Sequence, residues 1–134
     1  MANILRSLSN TFTAGTAGGV INSLAVWIFG QYGLTTSLGV RIAPDLTPGW
    51  LYPRLVWGGL WGLFFLLPLF SGRWVLRGLF FSLGPSLMQL FYVFPYQAGQ
   101  GQLGLALGAL TPAFVLFFNA LWGLSASAWL EAGR

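Results

Sequence analysis

The chain has 134 residues, of which 56% are hydrophobic and only 6% charged, and its mean hydropathy is +0.74. Soluble domains carry about 25% charged residues, so the composition excludes an ordinary soluble domain and indicates one transmembrane domain over residues 1–134. Six basic residues, all arginine, against two acidic ones give a net charge of +4. These arginines form no cluster, which argues against a nucleic-acid partner.

The first predicted transmembrane span covers residues 12–29, after a short polar segment. Gly15 and Gly19 lie four residues apart in it, and such pairs let helix backbones approach closely in lipid. We therefore expect a helix-packing face here rather than a lumen or a ligand groove. The connection that follows, residues 31–49, contains two prolines and is typical of an irregular interfacial loop.

The second predicted span covers residues 50–70 and is the stretch around which the chain is organised. About 20 apolar residues in a helix cross the roughly 30 Å hydrocarbon core of a bilayer. The span carries a single charge, Arg54, near its start. Gly58 and Gly62 form a second pair of glycines four residues apart, which again predicts close helix packing.

Two further spans are predicted, over residues 74–95 and 103–129. The third contains a Gly-Pro step, at which we expect a kink. The fourth begins with another pair of glycines four residues apart, Gly104 and Gly108. The fold class is therefore an all-α integral membrane protein with four transmembrane helices packed as a small bundle.

Four spans place both termini on the same side of the membrane. The positive-inside rule assigns that side to the cytoplasm, because it holds four of the arginines: Arg6, Arg73, Arg77 and Arg134. The other side holds only two, Arg41 and Arg54. We therefore expect a multi-pass protein of the bacterial inner membrane with both termini cytoplasmic.

The residues needed for most catalytic chemistry are missing from the sequence. The chain has no Cys, no His and no Lys, which leaves no base to activate a Ser or Thr nucleophile. Its two acids, Asp45 and Glu131, fall on opposite sides of the membrane in this threading. We therefore expect no enzyme activity, no metal site and no cofactor.

Two asparagines form the first candidate polar contact within the membrane. Asn22 lies ten residues from the cytoplasmic end of the first predicted span, and Asn119 lies ten residues from that of the fourth. At 1.5 Å per residue both lie at a depth of about 15 Å. The sequence predicts that they face each other or share a water. Such amides more often bond helices together than line a solute path.

Arg54, Gln89 and Thr111 form the second candidate site. Counted along their helices from the cytoplasmic side, their predicted depths are about 24, 22 and 27 Å. Guanidinium has five donors and no acceptor, so Arg54 would turn inward to the other two and create a pocket for an anionic group. The alternative is that Arg54 reaches outward to the lipid headgroups.

Two functional hypotheses remain open at this point. The first is an accessory or scaffold protein that packs against larger membrane proteins or against a second copy of itself. The second is a minimal oligomeric channel or carrier for a small solute or anion. Membrane lipids are the partner that both hypotheses share.

Overall fold

The structure is a computed structural model that describes residues 2–133. Arg134, one of the arginines behind the predicted threading, lies outside the described residues. The described chain is helical, with no β-strand between residues 2 and 133. Among the described residues, three helices are long and apolar enough to cross a membrane: Asn3–Gln31, Trp74–Gln97 and Thr111–Ala132. This confirms an all-helical chain with helices suited to a membrane.

Residues 2–133 contain four long α-helices and one short one: α1 (Ala2–Gln31), α2 (Leu34–Ser37), α3 (Pro48–Gly62), α4 (Trp74–Met88) and α5 (Thr111–Ala132). Two of them continue in a different helical form. A 3₁₀ turn, Leu63–Leu66, extends α3, and a π-helix, Gln89–Gln97, extends α4. A short 3₁₀ turn, Gln102–Gly104, lies in the connection before α5.

The start of α3 is fixed by a local capping arrangement. Thr47 precedes the helix in an extended conformation, and its hydroxyl accepts a hydrogen bond of 3.2 Å from the backbone N–H of Trp50. Pro48 occupies the first turn, where its missing N–H costs nothing. The α-helical part ends at Gly62, so the predicted span 50–70 is not one continuous α-helix.

The first and the last helix of the chain differ from their predicted bounds. The first helix begins at Ala2, ten residues before the predicted start of the first span. The fourth span was predicted to begin at residue 103, but α5 begins at Thr111. Gly104 and Gly108 have φ angles of +70° and +154°, which a right-handed helix cannot contain. This glycine pair therefore belongs to a connection and not to a helix-packing face.

The four long helices run alternately up and down. Within residues 2–133 the extensive contacts join α1 to α3, α1 to α5 and α4 to α5, whereas α3 and α4 stay apart over much of their length. The first half of α1, through Ala14, and the second half of α5, through Trp122 and Ala126, meet in one apolar cluster. Both ends of the described chain therefore lie at the same end of the bundle.

Glycines allow the closest helix crossings. A Cβ atom on Gly15 of α1 would clash with the backbone carbonyl oxygen of Gly58 in α3, and it would lie 2.8 Å from the Cα of Gly62. A Cβ on Gly78 of α4 would lie 2.6 Å from the carbonyl oxygen of Gly123 in α5. The backbones touch at both crossings, which is the packing that small residues permit in a membrane.

The end of the bundle that holds the termini, called here the closed half, is filled by large side chains. Its core consists of Ala14, Phe65, Phe81, Trp122 and Ala126. The rings of Phe65 and Phe81 have centroids 4.8 Å apart, so the 3₁₀ turn after α3 closes against α4. The indole N–H of Trp122 also donates to the carbonyl oxygen of Gly15 at 3.0 Å.

The opposite end, called here the loop end, is formed by the connections 32–47 and 98–110. The two connections are joined by a hydrogen bond of 3.0 Å from the backbone N–H of Arg41 to the carbonyl oxygen of Leu107. Leu103 and Leu107 pack on a second apolar cluster, made of Leu90, Phe94 and Val115. The connections therefore fold over the helix ends and border the space beneath them.

Candidate functional site

Polar side chains from all four long helices meet between the closed half and the loop end, nearer to the loop end. Six residues form this polar cluster: Asn22, Ser23, Arg54, Ser86, Gln89 and Asn119. Four of the six are buried, with exposed fractions of 8% or less. Because buried polar groups are costly without partners, the hydrogen bonds among them matter for both stability and function.

Arg54 turns inward from α3 and contacts α1. Its Nε donates to the hydroxyl of Ser23 at 3.0 Å, and its Nη2 donates to the side-chain oxygen of Asn22 at 2.5 Å. The guanidinium also lies over the ring of Trp50, 4.6 Å from its centroid, at a distance typical of a cation–π contact. The outward-reaching alternative for Arg54 is therefore not the conformation that the structure has.

The two asparagines link the remaining members of the cluster. The side-chain nitrogen of Asn22 lies 3.4 Å from the side-chain oxygen of Asn119 and 2.7 Å from the carbonyl oxygen of Phe118. Asn119 in turn donates to the hydroxyl of Ser86 at 3.1 Å and to the side-chain oxygen of Gln89 at 3.3 Å. A continuous chain of hydrogen bonds thus runs from α3 through α1 and α5 to α4.

Thr111, the third residue of the predicted anion pocket, lies elsewhere. It is fully buried, and its hydroxyl has no hydrogen-bond partner within residues 2–133. Along α5 it is eight residues from Asn119, which corresponds to about 12 Å. The structure therefore brings Arg54 and Gln89 to one site together with the two asparagines, and it leaves Thr111 out.

The glycine crossing between α1 and α3 explains why Arg54 meets Asn22. The two helices are antiparallel, and Gly62 packs on Gly15. Moving eight residues back from Gly62 reaches Arg54, and moving seven residues forward from Gly15 reaches Asn22. The close crossing therefore fixes the register that joins the charged residue to its partners.

Two cavities meet at the polar cluster and share Asn22, Arg54, Gln89 and Asn119 in their walls. The first, called here the loop-end cavity, has a volume of about 370 Å³ and is bounded by residues 41–44 of the first connection. The second, called here the lateral cavity, has a volume of about 400 Å³ and lies between α3 and α4.

Arg41 is a site residue that the sequence did not identify, because it was assigned to an interfacial loop. It lines the loop-end cavity together with Arg54. Its Nη2 donates to the backbone carbonyl oxygen of Ala106, which anchors the side chain to the other connection. No local sequence signal marks Arg41, since it is brought to the cavity by the contact between two distant connections.

No known protein family, curated protein or solved structure matches the chain. The interpretation of the site therefore depends on its geometry. Within residues 2–133, no group of three or more His, Cys, Asp or Glu side chains is placed to hold a metal ion. What the polar cluster offers is a permanent positive charge, several amide groups and two adjoining cavities.

Proposed function

We propose that this chain is a four-span membrane protein that binds an anionic group in the loop-end cavity, with Arg54 and Arg41 as the binding residues. This is the solute or anion alternative of the two hypotheses that the sequence left open. The observation that carries it is the charge of the cavity. Two arginines line it, and no acidic residue of the described chain lies in its wall.

The hydrogen bonds of Arg54 support this proposal. Guanidinium has five N–H donors, and within residues 2–133 Arg54 uses two of them, on the neutral oxygens of Asn22 and Ser23. Its charge is therefore held in place without a counter-ion. Carboxylate and phosphate groups match the planar fork of guanidinium with two parallel hydrogen bonds. A bound oxyanion would therefore neutralise the charge of Arg54 and accept hydrogen bonds from its unused N–H donors.

The cost of placing Arg54 within the membrane favours a functional role. An arginine at the centre of a membrane span costs about 2.5–3.5 kcal/mol on insertion scales and less toward an interface, where Arg54 lies, and such residues commonly mark ligand or ion pathways. A contact that only held the helices together would not require this charge. Asn22 and Asn119 would then serve to orient Arg54, and their interhelical bonds would also contribute to stability, by about 0.6 kcal/mol each on average.

The four-span arrangement is part of the proposal. The α-helical part of α3 has 15 residues, and its 3₁₀ extension has four. At rises of 1.5 and 2.0 Å per residue the two together measure about 30 Å, which matches the hydrocarbon core. With the positive-inside rule, the closed half faces the cytoplasm of a bacterial inner membrane and the loop end faces outward.

An accessory or scaffold role takes second place. Large exposed apolar side chains occur on each of the long helices, on α1, α3, α4 and α5 alike. This distribution is what contact with lipid requires, and it singles out no face for a larger protein partner. The polar cluster, in contrast, is one specific feature that packing alone does not require.

The proposal is tested by thermal unfolding in a neutral maltoside detergent with two added short-chain lipids, dioctanoyl phosphatidylglycerol and dioctanoyl phosphatidylcholine. A ligand at a hundred times its Kd raises the free energy of unfolding by about 2.7 kcal/mol. We expect the anionic lipid to stabilise the wild-type protein and the zwitterionic lipid to have much less effect. Arg54→Gln should remove most of the difference between the two lipids.

The matched control is Arg73→Gln, which removes the same charge at an exposed position outside the helices. It should keep the full response to the anionic lipid. Equal responses to the two lipids in the wild-type protein would refute the proposal. So would an equal loss of response in both variants, because that result would show a general charge effect.

A further inference from the structure

The two cavities that meet at Arg54 differ in chemistry. The loop-end cavity contains both arginines of the site, Arg41 and Arg54. Apart from Gln97 and the residues of the polar cluster that it shares with the loop-end cavity, the lateral cavity is lined by glycines and by apolar or aromatic side chains, among them Trp57, Tyr92 and Val93. A cavity that holds two arginines therefore adjoins one whose wall is mainly apolar away from the polar cluster, and Arg54 lines both.

The lateral cavity opens toward the side of the bundle. It lies between α3 and α4, the neighbouring helices that stay apart. Two of its lining residues also face outward, since Trp57 is 58% exposed and Met88 43% exposed. In the closed half, Trp61 packs against Gly84 and ends the gap. In a membrane, the open side of this cavity would face the lipid.

We infer that the ligand is an anionic amphiphile, a molecule with an oxyanion head and at least one acyl or alkyl chain. The head binds Arg41 and Arg54 in the loop-end cavity, and the chain follows the lateral cavity between α3 and α4 toward the bilayer. This inference rests on the proposed anion-binding function and names the class of ligand for that same site.

The match between the two chambers and the two parts of an amphiphile carries the inference. A small inorganic anion would use the arginines alone and would leave the lateral cavity of about 400 Å³, with its apolar far wall, without an occupant. The volumes of both cavities fall within the range usual for ligand sites, roughly 300–1,000 Å³. Charge complementarity places the head at the arginines, and the gap between the helices provides the route for the chain.

The first test uses the wild-type protein in maltoside detergent and compares two probes. Dioctanoyl phosphatidylglycerol carries both head and chains, and glycerol 1-phosphate carries a phosphate head without chains. We expect the lipid to stabilise the protein against thermal unfolding at concentrations at least about tenfold lower than the free head requires, because apolar contacts add to the affinity. Equal potency of the two probes would overturn the inference.

The second test fills the lateral cavity without changing a charge. Val93→Phe places a larger side chain in its wall, and we expect it to weaken phosphatidylglycerol binding by about tenfold, in line with the usual penalty for overpacking. Binding of glycerol 1-phosphate should be unaffected. The matched control is Val56→Phe, at a position on α3 that is 53% exposed and outside both cavity walls.

The two proposals fail in different ways. If Arg54→Gln changes no binding of any anionic probe, the proposed anion site is wrong. If Arg54→Gln abolishes binding but Val93→Phe leaves the affinity for the lipid unchanged, the anion site remains and the amphiphile inference is wrong. An equal loss of affinity in Val93→Phe and Val56→Phe would also contradict it.

Discussion

Asn22 joins three helices through a single amide group. Its oxygen accepts a hydrogen bond from Arg54 of α3, and its nitrogen donates to the backbone of Phe118 and to the side chain of Asn119 in α5. Asn22 itself is 6% exposed. Its loss would leave Arg54 with Ser23 as its only side-chain oxygen partner within the described chain, so Asn22 is the residue on which the geometry of the cluster depends most.

We expect Asn22→Leu to lower the free energy of unfolding by roughly 1–3 kcal/mol, because a buried charged donor loses its acceptor. The control is Asn10→Leu, at an exposed position earlier on α1, which should change stability by less than about 0.5 kcal/mol. Reversible unfolding in mixed detergent measures both variants. Equal stability of Asn22→Leu and the wild-type protein would show that the amide is dispensable.

Sequence reasoning placed Asn22 and Asn119 at the same depth, and they lie in contact. The sequence does not predict the contact between Asn22 and Arg54, because the predicted depth of Arg54 is measured from residue 70, the end of the predicted span. The α-helical part of α3 ends at Gly62, so a depth measured along one helix from residue 70 is too large. Backbone breaks of this kind arise from tertiary packing and local turns, which composition does not reveal.

At the scale of the helices, two glycine pairs together predict the contact between Arg54 and Asn22. Aligning Gly15 and Gly19 of α1 with Gly62 and Gly58 of α3 in antiparallel register sets Arg54 opposite the Asn22–Ser23 step. The sequence predicts a packing face at each pair, and packing the pair of α1 on the pair of α3 predicts the contact between Arg54 and Asn22. For Gly104 and Gly108 the same pattern misled, because spacing does not distinguish a helix from a turn with positive φ angles.

The crossing of α1 and α3 predicts a sharp contrast between two glycines of the same helix. A Cβ on Gly62 would lie 2.5 Å from the backbone carbonyl oxygen of Thr11 and 2.7 Å from the Cα of Gly15, whereas a Cβ on Gly49 would meet no atom within 4 Å. Because backbone atoms cannot move aside individually, Gly62→Ala should destabilise the protein by about 1–3 kcal/mol.

Gly49→Ala is the control for this prediction. It should be neutral or slightly stabilising, since alanine favours a helix by up to about 1 kcal/mol over glycine. Unfolding of the two variants in the same detergent gives the comparison. Equal stability of the two would mean that α1 and α3 do not cross at Gly62, and the register that brings Arg54 to Asn22 would then lose its basis.

At the scale of the whole molecule, both ends of the described chain lie at the closed half, and the connections 32–47 and 98–110 lie at the loop end. The proposed threading therefore predicts that a reporter fused after Arg134 is active as a cytoplasmic fusion, and that one inserted at Gly99 behaves as external. Gly99 suits an insertion because a Cβ there would meet nothing within 4 Å. The reverse pattern of reporter activity would overturn the proposed orientation.

The central claim is that Arg54 binds an anion, and the side-chain signals of the arginines test it most directly. The chain has six arginines and no lysine, so the Nε–H region of a ¹⁵N NMR spectrum is simple. The Nε–H of Arg54 donates to Ser23, which should slow its exchange with water enough to be observed. Arg54→Gln identifies this signal by its disappearance.

The measurement is a titration of the wild-type protein with dioctanoyl phosphatidylglycerol, with dioctanoyl phosphatidylcholine as the reference. If Arg54 binds the anionic head, the chemical shift of its Nε–H signal should change and saturate as the anionic lipid is added. It should stay constant with the zwitterionic lipid. A signal of Arg54 that does not move while those of exposed arginines such as Arg6 shift would contradict the account, because the anion would then bind at the surface and not in the site.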